Sequence, residues 1–276
     1  MGDARTHIDG EPLRTVTVSA PVLDLVREPG ADRTPEMQLL HGERFRVHGH
    51  REGWLHGAAM NPVESGRTDY VGWVRDEGVA EGESSPTHHV TALRAPVFSE
   101  PDLKSVIRGL LPLGARVHAA GEGVGNGGSY RRVESGYVSD KHLAEVGNTA
   151  VDDFVDTAES FQGLPYIWGG NGPDGMDCSG LVRLALHSVG VACPRDADQQ
   201  EAELGQQAEV DTELMTLRRG DLVFWPGHVG VMQTSGRLLH ANAHHMRVAT
   251  EPLREAVARI GAIRTLKRIP QLFPMV

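Results

Sequence analysis

The residues most able to do chemistry are Asp177-Cys178-Ser179-Gly180, a thiol set just after a residue type that caps helices. Apolar side chains at Leu181, Val182, Ala185, Leu186 and Val189 share one face of a helix that Asp177 starts and Gly190 stops. Cys178 then sits in the first turn, where the positive end of the helix dipole and unpaired N–H groups favour thiolate over thiol. The same N–H groups suit a developing oxyanion. Such a thiol needs a base. Downstream, Leu222-Val223-Phe224-Trp225 and His228-Val229-Gly230-Val231-Met232 read as two apolar strands meeting at a turn, and Leu238-Leu239-His240-Ala241-Asn242 as a third. If the hairpin is antiparallel and its paired residue numbers add to an even total, His228 and His240 share a face. That register presents both to the helix carrying Cys178, with His228 as base and His240 fixing the tautomer and angle of its ring. Cys193, between Val191-Ala192 and Pro194, reads as a small buried hydrophobe.

The other histidines, His41, His48, His50, His56, His88, His89, His118, His142, His187, His244 and His245, lie in segments without a nucleophile signal and read as surface or hydrogen-bonded residues. A zinc site from His240, His244 and His245 is disfavoured, because adjacent histidines on a strand point oppositely and no third-ligand spacing appears. No metal is expected.

Elements that position these groups emerge from the rest of the chain. Its 276 residues suffice for more than one core, and a hydrophobic content of 39% with 23% charged excludes disorder. A net charge of −10 disfavours nucleic acid or an anionic membrane as partner. No run approaches the roughly 20 apolar residues of a membrane helix. The first residues carry acids where a secretory signal has its basic and apolar regions, so a cytoplasmic location is expected. Two cysteines are too few for a disulfide framework or a four-thiolate zinc site.

Three signatures recur in order. Ala20-Pro21-Val22 returns as Ala95-Pro96-Val97, Leu39-Leu40-His41-Gly42 in looser form as Leu110-Leu111-Pro112-Leu113-Gly114, and Gly72-Trp73-Val74-Arg75-Asp76 as Gly136-Tyr137-Val138-Ser139-Asp140. Short β-rich runs divided by Gly, Pro and Asn predict two small tandem barrels, linked through the polar segment 81–89. Gly121 to Ser129 reads as a Gly-rich loop, with no Lys-Ser/Thr after it to bind phosphate. Helical periodicity begins at 151–161, which predicts a third domain. The expected boundaries are 1–82, 83–147 and 148–276.

The tandem modules resemble the bacterial SH3-type domains that precede some cell-wall peptidases. Tyr166-x-Trp168-Gly169-Gly170, Asp177-Cys178-Ser179-Gly180-Leu181-Val182, Gly220-Asp221-Leu222-Val223-Phe224-Trp225, Gly227-His228-Val229-Gly230-Val231 and Leu239-His240-Ala241 resemble, in order and spacing, the NlpC-type cysteine peptidase family. The resemblance implies an α+β chain: two SH3-type β-barrels, then a papain-like domain with a catalytic Cys178, His228 and His240. It implies hydrolysis of the γ-D-glutamyl-diamino acid bond of murein peptides with a free N-terminal L-Ala, in cell-wall peptide recycling, with no cofactor. It also implies a substrate pocket lined by Tyr166, Trp168, Asp177 and Ser179, with Asp177 as partner of an ammonium group. By the same resemblance, Glu43 and Tyr70 of the first barrel grip the substrate amine. Ala197 stands where relatives often use a Ser for substrate, and Arg195 is expected to pair with Asp196 or Asp198. Two other readings compete: a thiol amidase or acyltransferase on another amide or a lipid, and a cell-wall-binding module with an inactive peptidase domain. The second predicts a lost triad residue, and all three are present. The sequence leaves the oligomeric state open.

Overall fold

The computed structural model describes residues 3–30, 32–64, 66–82, 85–149, 151–210, 214 and 216–269. They form two compact units, 1–150 and 151–276, in a mixed α/β structure whose main sheets are antiparallel.

Unit 1 holds two hydrophobic cores. The first seven strands, from Arg14–Val18 to Val79–Glu81, make one sheet around Val16, Leu25, Met37, Phe45, Val47 and Val74. The strands from His88–Val90 to Leu143–Glu145 make a five-stranded and a three-stranded sheet around Val90, Val97, Leu111 and Val138. The repeated signatures have matching places. In each copy the Ala-Pro-Val strand pairs with the Gly-Trp-Val or Gly-Tyr-Val strand, Leu25 with Val74 and Phe98 with Tyr137. A single-turn 3-10 helix then follows, Asp76–Gly78 in one and Asp140–His142 in the other. The Arg116 N–H donates to the His41 carbonyl at 2.8 Å, which helps tie the two modules into one unit.

Two readings of this region change. Gly121 to Ser129 lies within a hairpin of the strands Ala120–Gly125 and Gly128–Val133, turning at Asn126-Gly127, the dipeptide whose backbone suits a two-residue turn. The expected link at 81–89 includes Glu83 and Ser84, which lie outside the described residues; at its far end His88–Val90 is already strand.

Unit 2 builds its sheet from Gln206–Ala208, Leu222–Trp225, His228–Thr234, Arg237–Asn242, Arg247–Pro252 and Thr265–Arg268. Among the described residues four helices accompany it: α1 (Phe154–Ser160), α2 (Cys178–Ser188), α3 (Ala197–Glu203) and α4 (Leu253–Ile260). Asp153 caps α1 by accepting from the Val155 N–H at 2.9 Å. In α2 every residue from Cys178 to Leu186 is buried, so packing rather than propensity holds this helix against α1 and the strands. One face of the sheet, bearing Val223, Trp225, Met232, Leu238 and Leu266, is closed by Leu253 and Ala256 of α4.

Candidate active site

Asp177 begins α2 as the sequence predicts. Its Oδ1 accepts from the Gly180 N–H at 2.8 Å, and Oδ2 from the Gly169 N–H at 3.0 Å, so one carboxylate pins the helix start to the preceding loop. Gly180 is required there, because a Cβ would collide with the Gly170 carbonyl. Arg195 completes the anchor. It donates to Asp177 Oδ1 at 3.0 Å, Asp177 Oδ2 at 2.6 Å and Ser179 Oγ at 2.7 Å, with its side chain only 1% exposed. Its partner is thus Asp177 rather than Asp196 or Asp198. Asp196 instead forms a capping box with Gln199 at the start of α3. The carboxylate and hydroxyl expected to line a substrate pocket therefore already hold a buried guanidinium.

Cys178 is buried beside this anchor. Burial pushes its thiol up to about 12, and the Asp177 charge adds to that. Hydrogen bonds from the Val229 and Ser179 N–H groups and the Arg195 charge oppose the shift without cancelling it. Desolvation thus outweighs the helix start, and the free site holds a thiol rather than the expected thiolate. Tyr166 is close enough to feel both Cys178 and Asp177, and its hydroxyl is raised to about 12, chiefly by burial. Trp168 is 62% exposed.

The two histidines meet. The register pairs Val231 with Leu239 and Met232 with Leu238, an even total, so His228 and His240 share a face. Gly230 leaves the room for it, since a Cβ there would lie 2.7 Å from Leu238 Cδ1 and 3.1 Å from His240 Cβ. His228 Nε2 and His240 Nδ1 are 2.8 Å apart. Their shared face is the one closed by α4, since His228 pairs with Trp225 and stacks at 5.9 Å from its ring. The face expected toward α2 is thus the one closed by α4, and Cys178 meets this strand at its end, where the N–H of Val229, next to His228, bonds to the sulfur.

Behind His240 stand two residues that the sequence reading missed. His240 Nε2 lies 2.7 Å from Glu251 Oε1, and Glu251 is clasped by Arg259 of α4, Nη1 to Oε2 at 2.8 Å and Nη2 to Oε1. Hydrogen bonds from Arg259 hold Glu251 down at about 2 despite its burial. Burial takes both imidazoles down to about 4. For His228, the charges of His240 and Arg259 add to this while Glu251 and Asp177 oppose it; for His240, Glu251 opposes while Arg259 and His245 add. A signal existed: His240 pairs with Ala249, and Glu251 is the diagonal neighbour on the same face, a lone acid in the mostly apolar run Val248-Ala249-Thr250-Glu251.

His240, His245 and Glu251 also place possible metal-ligating atoms within 4.8 Å of one another. Arg259 engages both oxygens of Glu251, and the short His240–Glu251 contact suits a proton, so the donors fit a hydrogen-bond line better than a cation.

Glu43 and Tyr70 lie in unit 1. Glu43 is buried and accepts from the Leu40 N–H at 3.1 Å. The Tyr70 ring belongs to the first core, and its hydroxyl reaches Glu36 at 3.4 Å.

Residues 163–262, which contain this entire line, match the sequence model of the NlpC/P60 family. That segment is an NlpC/P60 family domain. It is a cysteine peptidase. A Bacillus subtilis protein named gamma-D-glutamyl-L-lysine dipeptidyl-peptidase is 26% identical over 233 residues, 76% of this chain and 73% of that protein. A Bacillus cereus protein of the same name is 30% identical over 168 residues, 58% of this chain but 44% of that protein, so the match spans less than half of its length. The solved structure of an NlpC/P60 family protein from Bacillus cereus superposes with a TM-score of 0.75 at 20% identity, over 92% of this chain and 99% of that one, a likeness of fold. The NlpC/P60 domain begins beyond the two modules of unit 1 and spans α2, the two histidine strands and Glu251.

Proposed function

We propose that the chain hydrolyses the γ-D-glutamyl-diamino acid bond of peptidoglycan peptides that carry a free N-terminal L-Ala. The observation that carries the chemistry is the 2.8 Å contact of His228 with His240 beside a helix-start thiol. The names of the two Bacillus relatives support the substrate class. On this reading unit 2 is a papain-like domain and the two modules of unit 1 are SH3-type barrels.

Because the free site pairs a neutral thiol with a neutral imidazole, attack is coupled to proton transfer. The Cys178 proton passes to His228 as sulfur adds to the γ-glutamyl carbonyl carbon. The oxyanion is received by N–H groups at the start of α2. His228 returns the proton to the departing amine, leaving an acyl-enzyme. Water, deprotonated by the same imidazole, then releases the L-Ala-γ-D-Glu dipeptide and the thiol. Glu43 and Tyr70 enter this reading only through the family resemblance, as does a role in recycling fragments in the cytosol.

Mass spectrometry of L-Ala-γ-D-Glu-diaminopimelate incubated with the protein tests the proposal. Cleavage at the γ-bond, suppressed when the L-Ala amine is acetylated, is expected. Equal cleavage of the acetylated peptide, or action on a phospholipid alone, would overturn it.

A further inference from the structure

The line of hydrogen bonds continues past the histidine pair, and its proton positions follow from which groups are able to donate. An ionised carboxylate only accepts, so in the contact with Glu251 the hydrogen resides on His240 Nε2. A neutral His240 then offers a bare Nδ1, so in the next contact the hydrogen resides on His228 Nε2. A neutral His228 is left with a bare Nδ1, the nitrogen free to take a proton. The acid is kept in place by the fork of Arg259, a residue on a separate helix.

We propose that Glu251, clasped by Arg259, is the positioning residue of this site: it sets the tautomer of both rings and leaves His228 Nδ1 as the base. This rests on the peptidase reading of Cys178 and His228. When His228 becomes an imidazolium, its Nε2–H still faces His240 Nδ1, and the carboxylate two bonds away lowers the energy of that charge without taking the proton. Arg259 acts in the opposite sense on the charge while securing the acid's geometry. The charged and titratable groups that face the two rings are Glu251 from the Arg247–Pro252 strand, Arg259 from α4, Asp177 at the start of α2, and His245 after the Arg237–Asn242 strand.

Two substitutions with opposite expected signs test this. Glu251→Gln keeps size but removes the obligate acceptor, and Arg259→Ala removes the opposing cation. Nitrogen-15 NMR of labelled histidine should show both His228 and His240 protonated at Nε2 in the wild type, and a mixture of tautomers in E251Q. In peptide hydrolysis, E251Q should lower kcat by about 10- to 100-fold, below the roughly 10⁴-fold of a carboxylate acting on the base directly, with KM within about twofold. The acid limb of kcat/KM should move to lower pH in E251Q and to higher pH in R259A. A mere loosening of the fold cannot give shifts of opposite sign. Wild-type tautomers and kcat in E251Q, or limbs moving together, would overturn the proposal. Should the wild type cut no γ-glutamyl peptide, the peptidase reading fails, and the NMR comparison still decides the tautomer assignment.

Discussion

Two carboxylate–arginine pairs bracket the site, and they differ in burial. At the thiol end, Asp177 and Arg195 are 10% and 1% exposed and share their hydrogen bonds with the helix cap and Ser179. At the imidazole end, Glu251 is 6% exposed but its partner Arg259, on α4, is 29% exposed. The first pair joins three segments, the Gly169 loop, α2 and the residues before α3, so it belongs to the architecture. The second lies on one strand and one outer helix, so it can adjust the rings with little consequence for folding. Charge pairs in one active site thus divide their labour according to how much water reaches the cation.

The largest effects should come from the groups between the pairs. Cys178→Ala or His228→Ala should each reduce hydrolysis by at least about 10⁴-fold with an unchanged far-UV spectrum. Next, Asp177→Asn leaves Arg195 buried without its counter-charge and should cost about 3–5 kcal/mol in urea unfolding, whereas Arg259→Ala leaves the buried Glu251 with His240 as its remaining partner and should cost less, about 1–2 kcal/mol. Equal costs would erase the contrast between the two pairs.

Acid provides a third probe. Both imidazoles are held at about 4 against an ordinary 6.5, so between those values the unfolded chain binds protons that the folded chain refuses. Stability should therefore fall as pH drops through that window. Glu251, held at about 2, extends the loss below pH 4.5, because its folded form stays ionised where the unfolded acid is protonated. The urea midpoint against pH should show both regions, and His240→Asn should flatten the upper one. The smallest effect is expected at Cys193, buried with its thiol 3.5 Å from the Pro194 carbonyl. Cys193→Ser should change stability by about 1 kcal/mol and leave hydrolysis unaltered.

Local patterns were legible before any coordinates. Asp177 as cap, Cys178 in the first turn and the shared parity of His228 and His240 all depend on short-range geometry, where a period of 3.6 or 2 settles which side chains are neighbours. The repeats of unit 1 were legible for the same reason. Harder to read was Arg195, whose nearest acids in sequence, Asp196 and Asp198, are not its partner; a guanidinium on its flexible stem finds a carboxylate 18 residues away. Glu251 and Arg259 were missed because the Arg247–Pro252 strand and α4 reach His240 only once the sheet is assembled.

By itself, the order of residues determined which groups are available: one thiol at a helix start, two imidazoles in phase, and the strands and turns that carry them. Tertiary structure decided their electrical state. A dipole and a few N–H groups argue for a thiolate, yet the desolvation that comes with packing is larger, and only the folded chain sets how much water each group loses.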